Sequence, residues 1–143
     1  MIRPAFPDKW SPPLLSVLRI IAGLLYLEHG TAKLLHYPYA KFLELNGPLL
    51  SLSGIAGCMD LLGGSLLALG LYTRPVAFLL SGEMAVAYFL VKYPNGFFPI
   101  LNGGELNALY SFLFLYFAAA GGGPWSIDRA FPRFTLHKST VGK

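Results

Sequence analysis

LLSVLRIIAGLLYLEHGTAKLL, residues 14–35, decides the fold class. A helix rises about 1.5 Å per residue and needs about 20 residues to cross roughly 30 Å of hydrocarbon, and this stretch is long enough to do so. Yet it carries Arg19, Glu28, His29 and Lys33. Three more apolar runs follow, at residues 49–69, 75–91 and 106–120, with Asp60 in the second and Glu83 in the third. An isolated charge near the bilayer centre costs about 2.5 kcal/mol or more. Such residues persist where they find partners or do work. The chain therefore reads as all-α, a polytopic membrane four-helix bundle with a polar cluster at mid-depth.

Composition agrees. Of 143 residues, 55% are hydrophobic and 13% charged, against about 25% charged in soluble domains. Mean hydropathy is +0.55. The net charge of +4 is not a nucleic-acid signal. Arg3, Lys9, Arg74, Arg129, Arg133, Lys138 and Lys143 fall on one side of a four-span topology. Lys41, Lys92 and Lys33, near a helix end, fall towards the other. The positive-inside rule then puts both termini in the cytoplasm. The single cysteine, Cys58, excludes an intramolecular disulfide and reads as a small buried hydrophobe. No cleaved signal peptide is expected, because residues 1–13 hold four prolines and no apolar core.

The chain divides into an N-terminal arm at 1–13, a transmembrane domain at 14–128 and a basic tail at 129–143. Ser11, followed by Pro12 and Pro13, suits the start of the first helix. Residues 37–48 leave room for a short surface helix. Gly70 suits the end of the second helix, and Thr73 suits the cap of the third. Residues 95–104 (NGFFPILNGG) read as a folded loop or re-entrant lid. Glu105 opens the fourth helix, where a carboxylate favours the helix dipole.

Helical period places Gly23, Tyr26, Gly30 and Lys33 within about 40° of Arg19, a small and polar stripe that should face the bundle. His29 flanks it, and Glu28 lies almost opposite. Ser53, Gly57, Asp60, Gly64 and Ala68 make a matching stripe on the second helix. Asn107 and Ser111 belong to the most polar face of the fourth. Counted from the helix ends, Glu28, Asp60 and Glu83 share the middle third. Arg19 lies towards the cytoplasmic side; Lys33, Glu105 and Asn107 lie towards the other. Asp60 is the expected charged partner of Arg19. Glu28, His29, Asp60 and Glu83 are expected to converge. Three deep acids face two cations, so one carboxyl should keep its proton, and Glu83 is that acid because its helix run supplies no cation.

Arg19, Glu28, His29, Lys33, Asp60, Glu83, Glu105 and Asn107 thus form the candidate polar core. One reading is a purely structural network that fixes helix register. Another is a proton or quinone site, with His29 titrating near neutral pH and aromatic residues lining an apolar pocket. A metal held by Glu28, His29, Asp60 and Glu83 is chemically conceivable, but no E-x-x-H pair exists and none is expected. Small-solute binding or transport is the remaining class.

These residues resemble the DoxX-like family of small four-helix bacterial membrane proteins. The resemblance runs from about Leu14 to Arg129. It rests on Arg19 and Gly23, Glu28-His29-Gly30-x-x-Lys33-Leu34, Asp60-x-x-Gly63-Gly64 and Leu69-Gly70-Leu71-x-Thr73-Arg74. It continues in Gly82-Glu83-Met84-Ala85-Val86-Ala87-Tyr88-Phe89, Asn102-Gly103-Gly104-Glu105 and Trp125-Ser126-Ile127-Asp128. Asp60 stands where many relatives carry Glu. The family takes its name from a subunit of an archaeal thiosulfate:quinone oxidoreductase. The resemblance implies a bacterial inner-membrane location and a redox association, with quinone as the candidate cofactor. Its implied partners are the lipid bilayer, other membrane redox subunits or further copies of the chain, and no nucleic acid. No flavin, haem or iron–sulfur motif is present. Small-solute binding or transport, or a structural membrane scaffold, is the alternative role.

The charge asymmetry makes a direct prediction. Reporter fusions at Lys143 and in the Lys41 loop should report opposite sides of the membrane, with Lys143 cytoplasmic. A periplasmic Lys143 fusion overturns the orientation.

Overall fold

The computed structural model describes residues 8–43 and 47–132. Part of the expected arm, residues 1–7, and most of the basic tail, residues 133–143, lie outside the described residues. Helix α1 spans Ser11–Leu35, preceded by a 3-10 turn at Asp8–Trp10. Residues 8–13, expected in the arm, are therefore already helical. Ser11 is the first helical residue rather than the cap, and Trp10 precedes it without a side-chain cap bond. Pro12 and Pro13 fall in the first turn, where no helical N–H is needed. A 3-10 turn, Lys41–Leu43, occupies the following linker.

Helix α2, Leu52–Leu69, begins at Ser51, whose hydroxyl accepts from the Gly54 N–H at 3.2 Å. It ends at Gly70 with φ 70°. Helix α3, Thr73–Ala87, runs on through a π turn at Tyr88–Lys92 and a 3-10 turn at Tyr93–Asn95. Short α4, Pro99–Asn102, leads into α5, Glu105–Ala120, and α6, Ile127–Ala130, follows. There is no strand among the described residues.

Three helical stretches are long and apolar enough to cross a membrane: Asp8–Leu35, Leu52–Leu69 and Thr73–Asn95. Helix α5 has 16 residues, about 24 Å of helix against roughly 30 Å of hydrocarbon. It completes the bundle as its shortest member. Leu18, Leu62, Phe78 and Phe112 are exposed on the outer surface of the helices. Water does not tolerate so apolar a surface, and lipid does.

Helices α1 and α2 pack through the two small-residue stripes. A Cβ built on Gly23 would sit 2.5 Å from the Ala68 nitrogen, and one on Gly30 would sit 2.4 Å from the Leu61 nitrogen. One on Gly64 would sit 2.5 Å from the Leu27 nitrogen. The backbones touch here, so only glycine fits. Helices α3 and α5 are joined differently. Ser81 donates to the Ser111 carbonyl at 2.7 Å, and Ser111 donates to the Ser81 carbonyl at 3.1 Å. Ala22, Tyr26, Leu67, Leu80, Phe114 and Phe117 fill the core between the two pairs.

The 95–104 segment is a folded loop. The Tyr88 hydroxyl donates to the Phe97 carbonyl, and the Asn102 amide donates to the Gly96 carbonyl at 2.7 Å. The Gly104 N–H returns to the Asn102 side-chain oxygen at 2.7 Å.

The helix contact yields a paired prediction. Gly30→Val forces α1 and α2 apart and should lower stability in detergent by about 1–3 kcal/mol. Gly82 has nothing within 4 Å of a built Cβ, so Gly82→Ala should leave stability unchanged or raise it by up to about 1 kcal/mol. Equal effects of the two substitutions on unfolding midpoints would contradict the close contact.

Candidate functional site

Two polar centres lie along the bundle. The first is at the end where α1 begins. Arg19 is fully buried there. Its Nε donates to the Gly122 carbonyl at 2.8 Å. Its Nη1 donates to the Leu67 and Ala68 carbonyls at 2.5 and 2.7 Å, and its Nη2 to the Trp125 carbonyl at 2.6 Å. The Leu67 and Ala68 carbonyls close α2, where the helix dipole carries partial negative charge. The fork of guanidinium donors suits several acceptors at once.

The same end explains two sequence motifs. Gly70 is held against Arg19 and Ser126, since a built Cβ would lie 2.8 Å from Nη1 and 2.5 Å from the Ser126 Cβ. Asp128 caps α3, accepting from the Tyr72 and Thr73 N–H groups at 2.7 and 2.8 Å. The cap expected from Thr73 thus comes from Asp128, whose two oxygens serve two orphan donors where one hydroxyl serves one. Asp128 also supplies the countercharge felt by Arg19. Ser16 accepts from the Trp125 N–H at 3.1 Å, which ties the start of α1 to the chain after α5.

The second centre lies deeper. Lys33 reaches from the last turn of α1 and meets Asp60 Oδ2 at 2.5 Å. The Lys33 side chain is 16% exposed and that of Asp60 is 1% exposed. Tyr26, on α1, donates to Glu83 Oε2 at 3.0 Å. Asp60 and Lys33 both bear electrostatically on Glu83, and Asp60 also on Tyr26. Asp60 Oδ1 and Glu83 Oε1 are buried and have no hydrogen-bond partner among the described residues. The rings of Tyr110 and Phe114 on α5 close over Tyr26 at centroid distances of 5.8 and 5.0 Å.

The eight candidate residues therefore do not form one site. Lys33, Asp60 and Glu83 come together. Arg19 does not meet Asp60; carbonyls hold it, and Lys33 takes the acid. Glu28 is exposed and lines a surface groove of about 380 Å³ with Leu24, Leu27, Thr31, Tyr37 and Pro38. The expected convergence fails for Glu28 because helical period turns it away from the bundle. His29 is half-buried, its Nδ1–H donates to the Leu25 carbonyl at 2.9 Å, and its ring lies 6.3 Å from that of Tyr26. Glu105 is exposed at the first position of α5, and Asn107 places its amide 3.9 Å from the Met84 sulfur. Among the described residues, no three His, Cys, Asp or Glu side chains are grouped to hold a metal. Cys58 is exposed rather than buried, on the outward side of α2. Tyr26 and Asp128 belong to these two centres and are absent from the sequence-derived set. Tyr26 was visible only as a member of the Arg19 stripe, and Asp128 only as part of Trp125-Ser126-Ile127-Asp128.

The DoxX family model matches residues 14–93, more than half of the chain. The chain belongs to the DoxX family. The matched stretch contains Arg19, Tyr26, Lys33, Asp60 and Glu83, while Asp128 lies beyond it. A protein of Haemophilus influenzae is 45% identical over 130 residues, covering 87% of this chain and 95% of its own length, and is described as an uncharacterised protein. An uncharacterised membrane protein of Mycobacterium tuberculosis is 29% identical over 135 residues, covering 82% of this chain and 81% of its own. No solved structure matches the chain.

In this DoxX protein, Arg19→Ala strips four buried carbonyls of their donor and should lower stability by about 3 kcal/mol or more. Arg19→Lys keeps the charge but not the fork and should recover only part of that loss. Unfolding midpoints in detergent test both. A fully stable Arg19→Lys protein would show that charge alone holds this end.

Proposed function

We propose that this DoxX protein is an accessory subunit of a redox system in the bacterial inner membrane. Its Lys33–Asp60–Tyr26–Glu83 cluster takes up and releases one proton there and interacts with a quinone. The observation that carries the reading is the pair of orphaned oxygens, Asp60 Oδ1 and Glu83 Oε1, on two acids that share one cation. Thr73 Oγ1, at the Arg19 end, is buried without a partner among the described residues as well, but it is a neutral hydroxyl. An unpaired carboxylate oxygen is far more expensive inside a protein, and a structural network pairs its charged members. One proton between Asp60 and Glu83 supplies the missing donor to both acids and reduces two negative charges to one, which Lys33 balances.

The donor set bears on the ligand. Two unpartnered acceptors suit a proton or the hydroxyl of a quinol, and an oxidised quinone presents acceptors only. The protein thus favours the reduced, donor-bearing form at this point. The alternative, a scaffold or a small-solute binding protein without catalysis, is favoured by Arg19, which four carbonyls hold and which serves architecture. The two roles are compatible at separate depths of one bundle. In this reading the domain at 14–128 carries the function. The termini are cytoplasmic, and the groove beside Glu28 faces lipid or a neighbouring subunit.

Glu83→Gln tests the role, because the amide keeps the size and can donate where a protonated acid did. The variant should fold and co-purify with its redox partner. Proton-linked quinol turnover by the complex should fall about a hundredfold or more, the scale of a lost acid–base group. Unchanged turnover, or no electron-carrying partner after gentle purification, would favour the scaffold.

A further inference from the structure

We infer that the Asp60–Glu83 site exchanges its proton with one aqueous compartment only, through the end of the bundle that carries α4, with Lys33 at the entrance. The inference rests on the proton-binding reading above and adds a direction to it.

The path towards the Arg19 end is closed by packing. Ala22, Leu67, Leu80, Phe114 and Phe117 lie in that direction, none more than 3% exposed. The backbones of α1 and α2 touch at Gly64 against Leu27 and at Gly23 against Ala68, so no water fits between them. A buried water needs two to four polar partners, and the part-buried Ser65 of this layer already spends its hydroxyl on the Leu61 carbonyl at 2.7 Å. Ser81 and Ser111 are the polar side chains nearest to it between α3 and α5, and each donates its hydroxyl proton to the other's carbonyl. Beyond the layer, Arg19 is fixed by four carbonyls.

The opposite direction is polar. Lys33 lies two residues from the end of α1, and its side chain is part-exposed while its ammonium group touches Asp60. Asn107 is half-buried on α5, and Glu105 stands exposed one half-turn beyond it. Tyr88 and Asn102 place a hydroxyl and an amide 3.4 Å apart under the loop that ends in Gly104. The groups that bear on Glu83 are Tyr26 and Lys33 from α1 and Asp60 from α2, with Tyr110 of α5 packed on Tyr26. Glu28 is exposed at the depth of the cluster, but it points outward into the surface groove with Leu24 and Leu27. The other charged groups near it, Lys33 and Glu105, lie towards the α4 end. The site is a one-sided proton port and not a transmembrane proton wire.

Infrared spectroscopy of tight proteoliposomes tests this. Orientation is read from trypsin cleavage at the exposed Arg129. The carboxyl band of Glu83 is the band that Glu83→Gln removes, or that Glu83→Asp shifts should the amide variant fail to fold. An acid-to-alkaline jump confined to the compartment facing α4 should change that band, and the same jump on the Arg129 side should not. A band that follows the Arg129 side, or both sides equally, overturns the one-sided port and leaves proton binding intact. The absence of any carboxyl band sensitive to both substitutions overturns the proton-binding reading, and the port falls with it.

Discussion

A guanidinium buried where water cannot follow must be met entirely by the protein, and Arg19 sets the architecture of this DoxX chain through that demand. Its four acceptors come from the last turn of α2 and from the segment after α5. One side chain of α1 therefore fixes where α2 stops and where the chain passes after α5. Gly70 and Asp128 follow from the same constraint. The turn must be bare enough to lie against the guanidinium, and the carboxylate that caps α3 also offsets its charge. Hydrocarbon offers no substitute partner for any of these groups.

The glycine contact between α1 and α2 then determines the second centre. Gly23 lies against Ala68 and Gly30 against Leu61. In an antiparallel pair with that register, Asp60 falls beside the residues that follow Gly30, and Lys33 is the cation within reach. Arg19 falls beyond Ala68, at the open carbonyls of the helix end. The exchange of partners relative to the sequence reading is a consequence of register. A helical wheel gives the face of a residue and its depth along its own helix. It does not give the offset between two helices, and here an offset of about three turns separates the observed pairing of Asp60 with Lys33 from a pairing with Arg19.

The fold was legible for a related reason. Span length, hydropathy and the small-residue stripes are properties of single helices, and they survive assembly unchanged. Gly70 and the start of α5 at Glu105 were readable because capping is local. The cap of α3 was not, since Asp128 reaches Tyr72 and Thr73 across most of the α3–α5 hairpin. Glu28 shows how charge counting misleads when face is ignored. It shares depth with Asp60 and Glu83, but its position almost opposite Arg19 already sent it outward. Tyr26 shows the reverse: an aromatic on the right stripe, carrying the hydroxyl that reaches Glu83.

The two centres differ in a way that assigns them different work. Around Arg19 the hydrogen-bond partners are four backbone carbonyls, which cannot titrate, and Asp128 supplies the nearby countercharge. Around Asp60 and Glu83 the neighbours are side chains that can gain or lose protons, and two acceptors are left over. A group whose partners are all carbonyls has one stable state. A pair of acids facing one lysine has several protonation states separated by single proton transfers, and these shift the charge in the middle of the membrane by one unit each. On the proposed reading, rigidity at one end and protonic freedom at the inner cluster are separated by an apolar layer, and that separation would let the charge of the cluster change without disturbing the contacts that hold the helices together.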